Sequence, residues 1–312
     1  MSVSLPLLVT HGGKFHLDEV FAYAVLRRAL QLGPSGSDHL LVRTRDPARI
    51  AAGKIVWDVG TVYDEATERY DHHQRGAPLR PDGTPYSSAG LVWRIYGERA
   101  VLAVLGGRDA DLAGPIAAEI DGGMVRRIDE VDNGIGPEGD SLGLSGLMGD
   151  FNPPWDAAGG DAAADAAFLD AAELADGLLC RRVARVAARL RGAALVRQAF
   201  RSAADPRILE LDRGMPWKDV VFADGLPVLF GIYPASNGNW MVDAVPPEPG
   251  SFAQRLPLPA AWAGLQDQAL ADISGVPDAV FVHLRCFVAA ARSREGARAL
   301  AARAIALAEE TP

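Results

Sequence analysis

The sequence predicts an α/β protein: a mostly parallel sheet domain followed by a smaller α+β domain, the two joined by a long helical connector. Three features of the chain predict it. Short apolar runs alternate with helical periodicity over the first third. Residues 156–204 then separate acids from bases along one apolar stripe, and from Arg207 onward the pattern changes to strands and turns. With 312 residues the chain has room for about two domains of roughly 150 residues each. The expected boundaries are 1–155, 156–204 and 205–312.

Taken in order, LPLLVT (5–10) reads as a strand, and residues 18–32 carry Val20, Phe21, Ala24, Val25 and Leu30 at helical spacing. HLLVRTR is a second strand, 47–53 a short helix and KIVWDVG a third strand, followed by a polar turn and RYDHH. Ser87 and Ser88 stand where N-caps belong, before the helical AGLVWRIYG. A further helical stretch near 109–132 leads into a glycine-rich loop (133–149) and the aromatic turn FNPPW. Residues 156–176 hold six acids and no base, and 177–204 seven arginines and no acid. That order complements a helix dipole and predicts one long helix or a helical pair, with a basic face toward RNA as the sharper alternative. RILELD, DVVFAD, PVLFGIYP and WMVDAVP read as strands, with Asn237-Gly238 as a hairpin turn; AVFVHLRCFVAA is a last strand and EGARALAARAIALA a last helix.

Composition excludes several classes. An apolar fraction of 49% with 23% charged residues describes a folded chain with ample core. No uncharged apolar run approaches the ~20 residues of a membrane span, and MSVSLPLLVTHGG lacks the regions of a leader peptide. Two cysteines, Cys180 and Cys286, make neither a disulfide framework nor a CxxC zinc site, which points to a reducing compartment, the cytoplasm. A net charge of −9 argues against coating long nucleic acid, but not against a phosphate-handling enzyme whose carboxylates are offset by cations.

Metal-type side chains collect in four places: His11, His16 and Asp18 after the first strand, Asp58 in VWDVG, the run Asp71-His72-His73, and Asp132 in IDEVDNG. Four of the six histidines lie in two of these loops, which packing does not explain. In open α/β sheets ligands gather beyond the carboxyl ends of the strands, so distant loops can converge there. Imidazole nitrogens with carboxylate oxygens suit Mn²⁺, Fe²⁺ or Zn²⁺, and an aspartate shared between two cations suits hydrolysis at phosphorus.

THxxxFHxDE, VWDVG, YDHHQRG, YSSAGLVW, IDEVDNGIG and FNPPW, continued by PWK, GNW, GSFAQRLPLPAAWAGL and SGVPDAVFVH, resemble the MYG1 (UPF0160) family of the DHH phosphoesterase superfamily over nearly the whole chain. The resemblance implies a DHH-type catalytic domain with two divalent metals, usually manganese, and 3′→5′ exonuclease activity on RNA. By motif it makes His11, His16, Asp18, Asp58, His72 and Asp132 the metal ligands. It sets His73 beside the scissile phosphate or behind the ligands, and has Asp71 buttress the loop. His16 stands where the wider superfamily has an aspartate, which favours a transition metal over Mg²⁺.

The substrate grip is expected from the second domain, through Arg255, His283 and Arg292, since guanidinium forks suit phosphate oxygens. Ser87 and Ser88 are assigned to substrate phosphate or, preferentially, to helix capping. Trp57, Tyr86, Trp155 and Trp240 are stacking candidates better suited to packing. Where MYG1-like sequences read GFxGG, this chain has Cys286-Phe287-Val288-Ala289-Ala290-Ala291, and a Cβ there is expected to obstruct a ligand. The expected function is a metal-dependent phosphodiesterase acting from the 3′ end of RNA or a short oligonucleotide. The alternatives are hydrolysis of a small phosphate compound such as pyrophosphate and non-catalytic nucleotide or RNA binding. A homo-oligomer is left open, and no membrane partner is expected.

Overall fold

The computed structural model describes residues 5–135 and 143–310 and divides into two compact units, 1–187 and 188–312. Part of the glycine-rich loop expected at 133–149, and the first four residues of the leader reading, lie outside the described residues.

In the first unit β1 (Leu7–Thr10), β2 (Leu40–Arg43), β3 (Ile55–Trp57), β4 (Tyr63–Asp64) and β5 (Arg69–Tyr70) form one sheet in the order β2-β1-β3-β5-β4. All pairings are parallel except β4 with β5, so the parallel expectation holds apart from one short edge hairpin inside the expected polar turn. Alternation sorts the side chains. Val9, Val42 and Val56 meet Ile50 of α2 (Pro47–Ala51) on one face. On the other, Trp57 is fully buried and its indole N–H donates 3.0 Å to the Glu19 carbonyl of α1 (Leu17–Leu30). α1 packs on α3 (Ser88–Leu105), with Phe21 and Trp93 rings 6.0 Å apart.

The expected helical stretch near 109–132 is α4 (Ala113–Ile120), a π turn at 121–125 and α5 (Arg126–Asp132) in succession. The wide turn brings Asp121 and Asp129 onto one arginine: Arg80 donates 2.7 Å from Nε to Asp129 and 2.9 and 3.0 Å from its terminal nitrogens to Asp121. Within the expected loop, Leu144–Gly149 forms a helix, α6. α7 (Gly160–Arg201) is one continuous helix of 42 residues, not a pair, and the boundary between the units falls inside it.

The second unit has β6 (Ile208–Glu210), α8 (Lys218–Ala223), β7 (Phe230–Pro234), β8 (Trp240–Ala244), α9 (Asp267–Ser274), β9 (Ala279–Val282), β10 (Val288–Ala291) and α10 (Arg294–Glu309). Its sheet order is β6-β7-β8-β10-β9, antiparallel except for β6 with β7. The Asn237-Gly238 turn joins β7 to β8 as expected, with Gly238 at φ 86°. Two expectations fail here. DVVFAD is helical, because so short an apolar run does not distinguish a strand from a helix that buries Val220 and Val221. AVFVHLRCFVAA is not one strand but the hairpin β9–β10, broken where Cys286 turns left-handed at φ 55°. The short helix α9 has no counterpart in the sequence reading. No helix among the described residues is long and apolar enough to cross a membrane.

Gly90, in the first turn of α3, marks a close approach: a Cβ there would lie 2.5 Å from Asp129 Oδ1 and 2.6 Å from the Tyr86 ring. Gly90→Ala should therefore cost about 1–3 kcal/mol by overpacking, read as a lower urea midpoint with unchanged slope.

Candidate metal centre

Strands β1, β3 and β5 are parallel neighbours, so their C-terminal ends lie side by side at the spacing of a sheet, about 4.8 Å. Each strand is followed directly by one group of the expected ligands: His11 after Thr10, Asp58 after Trp57, and Asp71-His72-His73 after Tyr70. The first turn of α1 adds Asp18 and the last turn of α5 adds Asp132.

Local chemistry holds each segment. The Asn152 side chain accepts from Phe15 N–H and donates to Phe15 C=O, both at 2.9 Å, which pins the 11–16 loop and gives FNPPW a task. Asp58 sits in the left-handed region at φ 57°, ending β3 and turning its carboxylate into the cluster. Asp71, 1% exposed, accepts from the N–H groups of Thr61, His72 and His73 and lies 2.7 Å from His73 Nδ1. It organises the loop, while His73 keeps 57% of its side chain exposed.

The side chains converge. His11 Nε2 is 2.7 Å from Glu19 Oε1 and 3.2 Å from Asp58 Oδ2; His72 Nε2 is 3.2 Å from Asp58 Oδ1 and 3.4 Å from Asp132 Oδ2. Four overlapping sets have ligand atoms within 4.8 Å of one another: His11–His16–Glu19, Asp58–His72–His73, His16–Asp18–Asp132 and Asp18–Glu19–Asp58. All six residues expected as ligands are thus brought together. Glu19 was missed as a site residue. It is fully buried, and its Oε2 accepts 2.9 Å from the His16 backbone N–H. The signal available was its capping-box spacing three residues after His16.

The charges are unbalanced for a finished core. Burial pushes the Asp18 and Glu19 carboxyls up; burial, then the nearby Asp18 charge, takes Asp132 to about 8. Burial would also raise Asp58, but hydrogen bonds from His11 and His72 outweigh it and hold Asp58 at about 2. The same bonds, with Glu19 assisting at His11 and the Asp132 charge at His72, overcome the opposite effect of burial on the imidazoles and raise His11 to about 10 and His72 to about 9. Protons thus stand in for missing positive charge. Asp18 Oδ1 is buried with no hydrogen-bond partner, although Oδ2 accepts 2.8 Å from the Ser88 hydroxyl. A nitrogen and oxygen donor set with an orphaned buried oxygen fits a divalent transition metal.

The remaining expected site residues lie elsewhere or do other work. Ser87 and Ser88 do not cap α3: both are fully buried, and Ser87 donates 2.7 Å to Asp129 while Ser88 holds Asp18. Trp57 is core, Tyr86 lies under Arg80 and Arg94, and Trp155 is 97% exposed. In the second unit Arg255 donates to the carbonyls of Leu226 and Val228 at 2.7 and 3.1 Å and lies over Phe222. Arg292 is exposed and pairs with Asp267 at 3.0 Å. Arg294 lies over Trp240, and Arg294 and Arg298 both pair with Glu210. His283 is exposed and faces Phe287, ring centroids 4.6 Å apart. It lines a cleft of about 660 Å³ with Lys218, Phe252, Gln254, Arg285 and Phe287. Ala289, Ala290 and Ala291 are fully buried in β10, and Ala289 and Ala291 belong to the apolar core of this unit.

The model of the family described as "Uncharacterised protein family (UPF0160)" matches residues 7–305. The chain is 37% identical to human MYG1 exonuclease, covering 95% of this chain and 85% of the relative. It is 36% identical to a MYG1 protein of Caenorhabditis elegans, covering 98% and 97%. Among solved structures it aligns with RecJ in complex with Mn²⁺ from Thermus thermophilus at 17% identity and TM-score 0.28, covering 98% of this chain and 52% of that one. The chain thus spans about half the length of that structure.

Stability should report the charge imbalance. Groups raised in the folded chain, His11 and His72 from 6.5 and the Asp18, Glu19 and Asp132 carboxyls from below 5, stabilise the fold relatively more when protonated, so stability falls as pH rises. In chelator, the urea midpoint should drop between about pH 4, where the raised carboxyls ionise in the unfolded chain, and about pH 10, the His11 value. Saturating Mn²⁺ should flatten the drop, because the cation replaces the protons. A flat profile in chelator would contradict the assigned charge arrangement.

Proposed function

Because the chain belongs to the UPF0160 family of MYG1 proteins, we propose that it is a divalent-metal-dependent phosphodiesterase that removes nucleotides from the 3′ end of RNA or a short oligonucleotide. The convergence of His11, His16, Asp18, Asp58, His72 and Asp132 from separate segments onto one edge of a parallel sheet is the observation that carries this reading. Asp58, reached by both His11 and His72, suits a shared ligand for two cations. Three imidazoles among the ligands favour Mn²⁺ over Mg²⁺. Bound there, divalent cations would lower the pKa of water and neutralise charge on the phosphate oxygens.

The chain's own side chains supply the rest. Asp71 fixes the His73 ring through Nδ1, leaving the exposed imidazole to donate a hydrogen bond to the phosphate under attack. Ser88 orients Asp18, and the Gly12 carbonyl orients His11 through Nδ1. In the second unit, Phe252 and Phe287 offer faces for bases, and Lys218, His283 and Arg285 offer donors for the backbone of a single strand. Arg255 shapes the 226–228 segment that carries the chain into β7. Cys180 and Cys286 are unpaired thiols, which fits a cytoplasmic setting.

Digestion of end-labelled oligoribonucleotides with Mn²⁺ tests the reading. Asp58→Ala and His72→Ala should each lower turnover by about 10³-fold or more and lower bound manganese, whereas Asp71→Asn should cost about 10–100-fold. Wild-type rates in the first two would remove the assigned centre. A parallel series on deoxyribonucleotides and pyrophosphate, at several chain lengths, fixes the substrate class.

A further inference from the structure

Beside the loop that follows His11 lies a hollow of about 310 Å³ in the first unit, bounded by Gly12, Gly13, Arg45, Arg49 and Asp161 among others. Three arginines line it, and they differ in what they have left to give. Arg43 is spent: its side chain is 2% exposed, its guanidinium lies over the Phe15 and Phe168 rings at 5.2 and 5.0 Å, and it donates to Gly13 C=O and Asp165. Arg45 is exposed; its Nε donates 3.2 Å to Gly12 C=O and one terminal nitrogen lies 3.3 Å from His11 Nδ1. That leaves part of its donor fork free, anchored against a ring whose other nitrogen faces the metal-type cluster. Arg49 is exposed and makes no ion pair or side-chain hydrogen bond with any described residue. Of the two acids at the rim, Asp165 is taken by Arg43, which leaves Asp161 against two guanidiniums with unused donors.

We propose that this hollow is a second phosphate site, in which Arg45 and Arg49 hold a backbone phosphate of the bound strand next to the one at the metal centre. The proposal rests on the phosphodiesterase reading and deepens it. Guanidinium forks match phosphate oxygens, and a mostly acidic centre needs such a cationic rim to accept a polyanion. The site selects for substrates with more than one phosphate and explains how a chain of net charge −9 engages a strand locally. Arg45 also holds the Gly12 carbonyl that lies 3.2 Å from His11 Nδ1, so Arg49 is the cleaner probe.

The test is fluorescence anisotropy with a labelled, turnover-resistant phosphorothioate oligoribonucleotide in Mn²⁺, at several salt concentrations. Arg49→Gln should weaken binding about tenfold and make the slope of log affinity against log salt shallower by about 0.7. Arg108→Gln, which removes an exposed arginine elsewhere in the unit, should change affinity less than twofold. In turnover of the normal strand, Arg49→Gln should raise KM with kcat largely kept. Equal effects of the two variants, or an Arg49→Gln variant within twofold of wild type, overturn the proposal. So does calorimetric binding of inorganic phosphate that depends on Arg49 while strand binding does not. Arg49-dependent strand binding by a wild type that cleaves no oligonucleotide keeps the phosphate site and rejects the enzymatic reading.

Discussion

Four carboxylates, Asp18, Glu19, Asp58 and Asp132, are crowded beyond one edge of a parallel sheet, and their mutual repulsion organises the centre. Removing such groups from water is costly unless positive charge accompanies them. The protein supplies some through His11 and His72, which hold Asp58 ionised, but not enough for Asp18, Glu19 and Asp132, which burial and their neighbours push toward the protonated form. A cluster left short of positive charge in this way is one that could hold a metal ion.

The nearby Asp129 shows the other solution to the same difficulty. It is as deeply buried as Glu19, yet it accepts from Arg80 and from the Ser87 N–H and hydroxyl, with Gly90 leaving it room. Arg80 in turn spans to Asp121 across the π turn. Asp129 thus ties α3 to α5 and fixes the helix end that carries Asp132, whereas the carboxylates of the centre have no arginine partner among the described residues. Two serines adjacent in sequence divide between the two tasks: Ser87 serves the structural carboxylate and Ser88 serves Asp18.

The second unit solves a packing problem first. Its mostly antiparallel sheet carries α10 over β10, and Ala289 and Ala291 of that strand are small enough to let the helix in, beside Ala297, Leu300, Ala301 and Ala304. At the β9–β10 turn His283, Arg285 and Phe287 line a cleft with Lys218 and Phe252.

By itself the sequence determined which histidines and acids stand at the strand ends and most of the elements that carry them. Scarce histidines beside acids at strand ends, and apolar runs of strand or helix period, are local signals that survive without coordinates. The α8 and β9–β10 expectations failed because runs of four to six apolar residues bury equally well as helix or strand, and a left-handed residue at Cys286 leaves no mark in composition. Tertiary structure alone decided what each polar group is for. Adjacency of β1, β3 and β5 turned four separate motifs into one centre, and burial made Glu19 part of it. It also spent Ser87, Ser88, Arg43 and Arg255 on internal bonds while leaving Arg49 open. Residue type fixes what a side chain can donate or accept; only the packed chain fixes which partners use that capacity up.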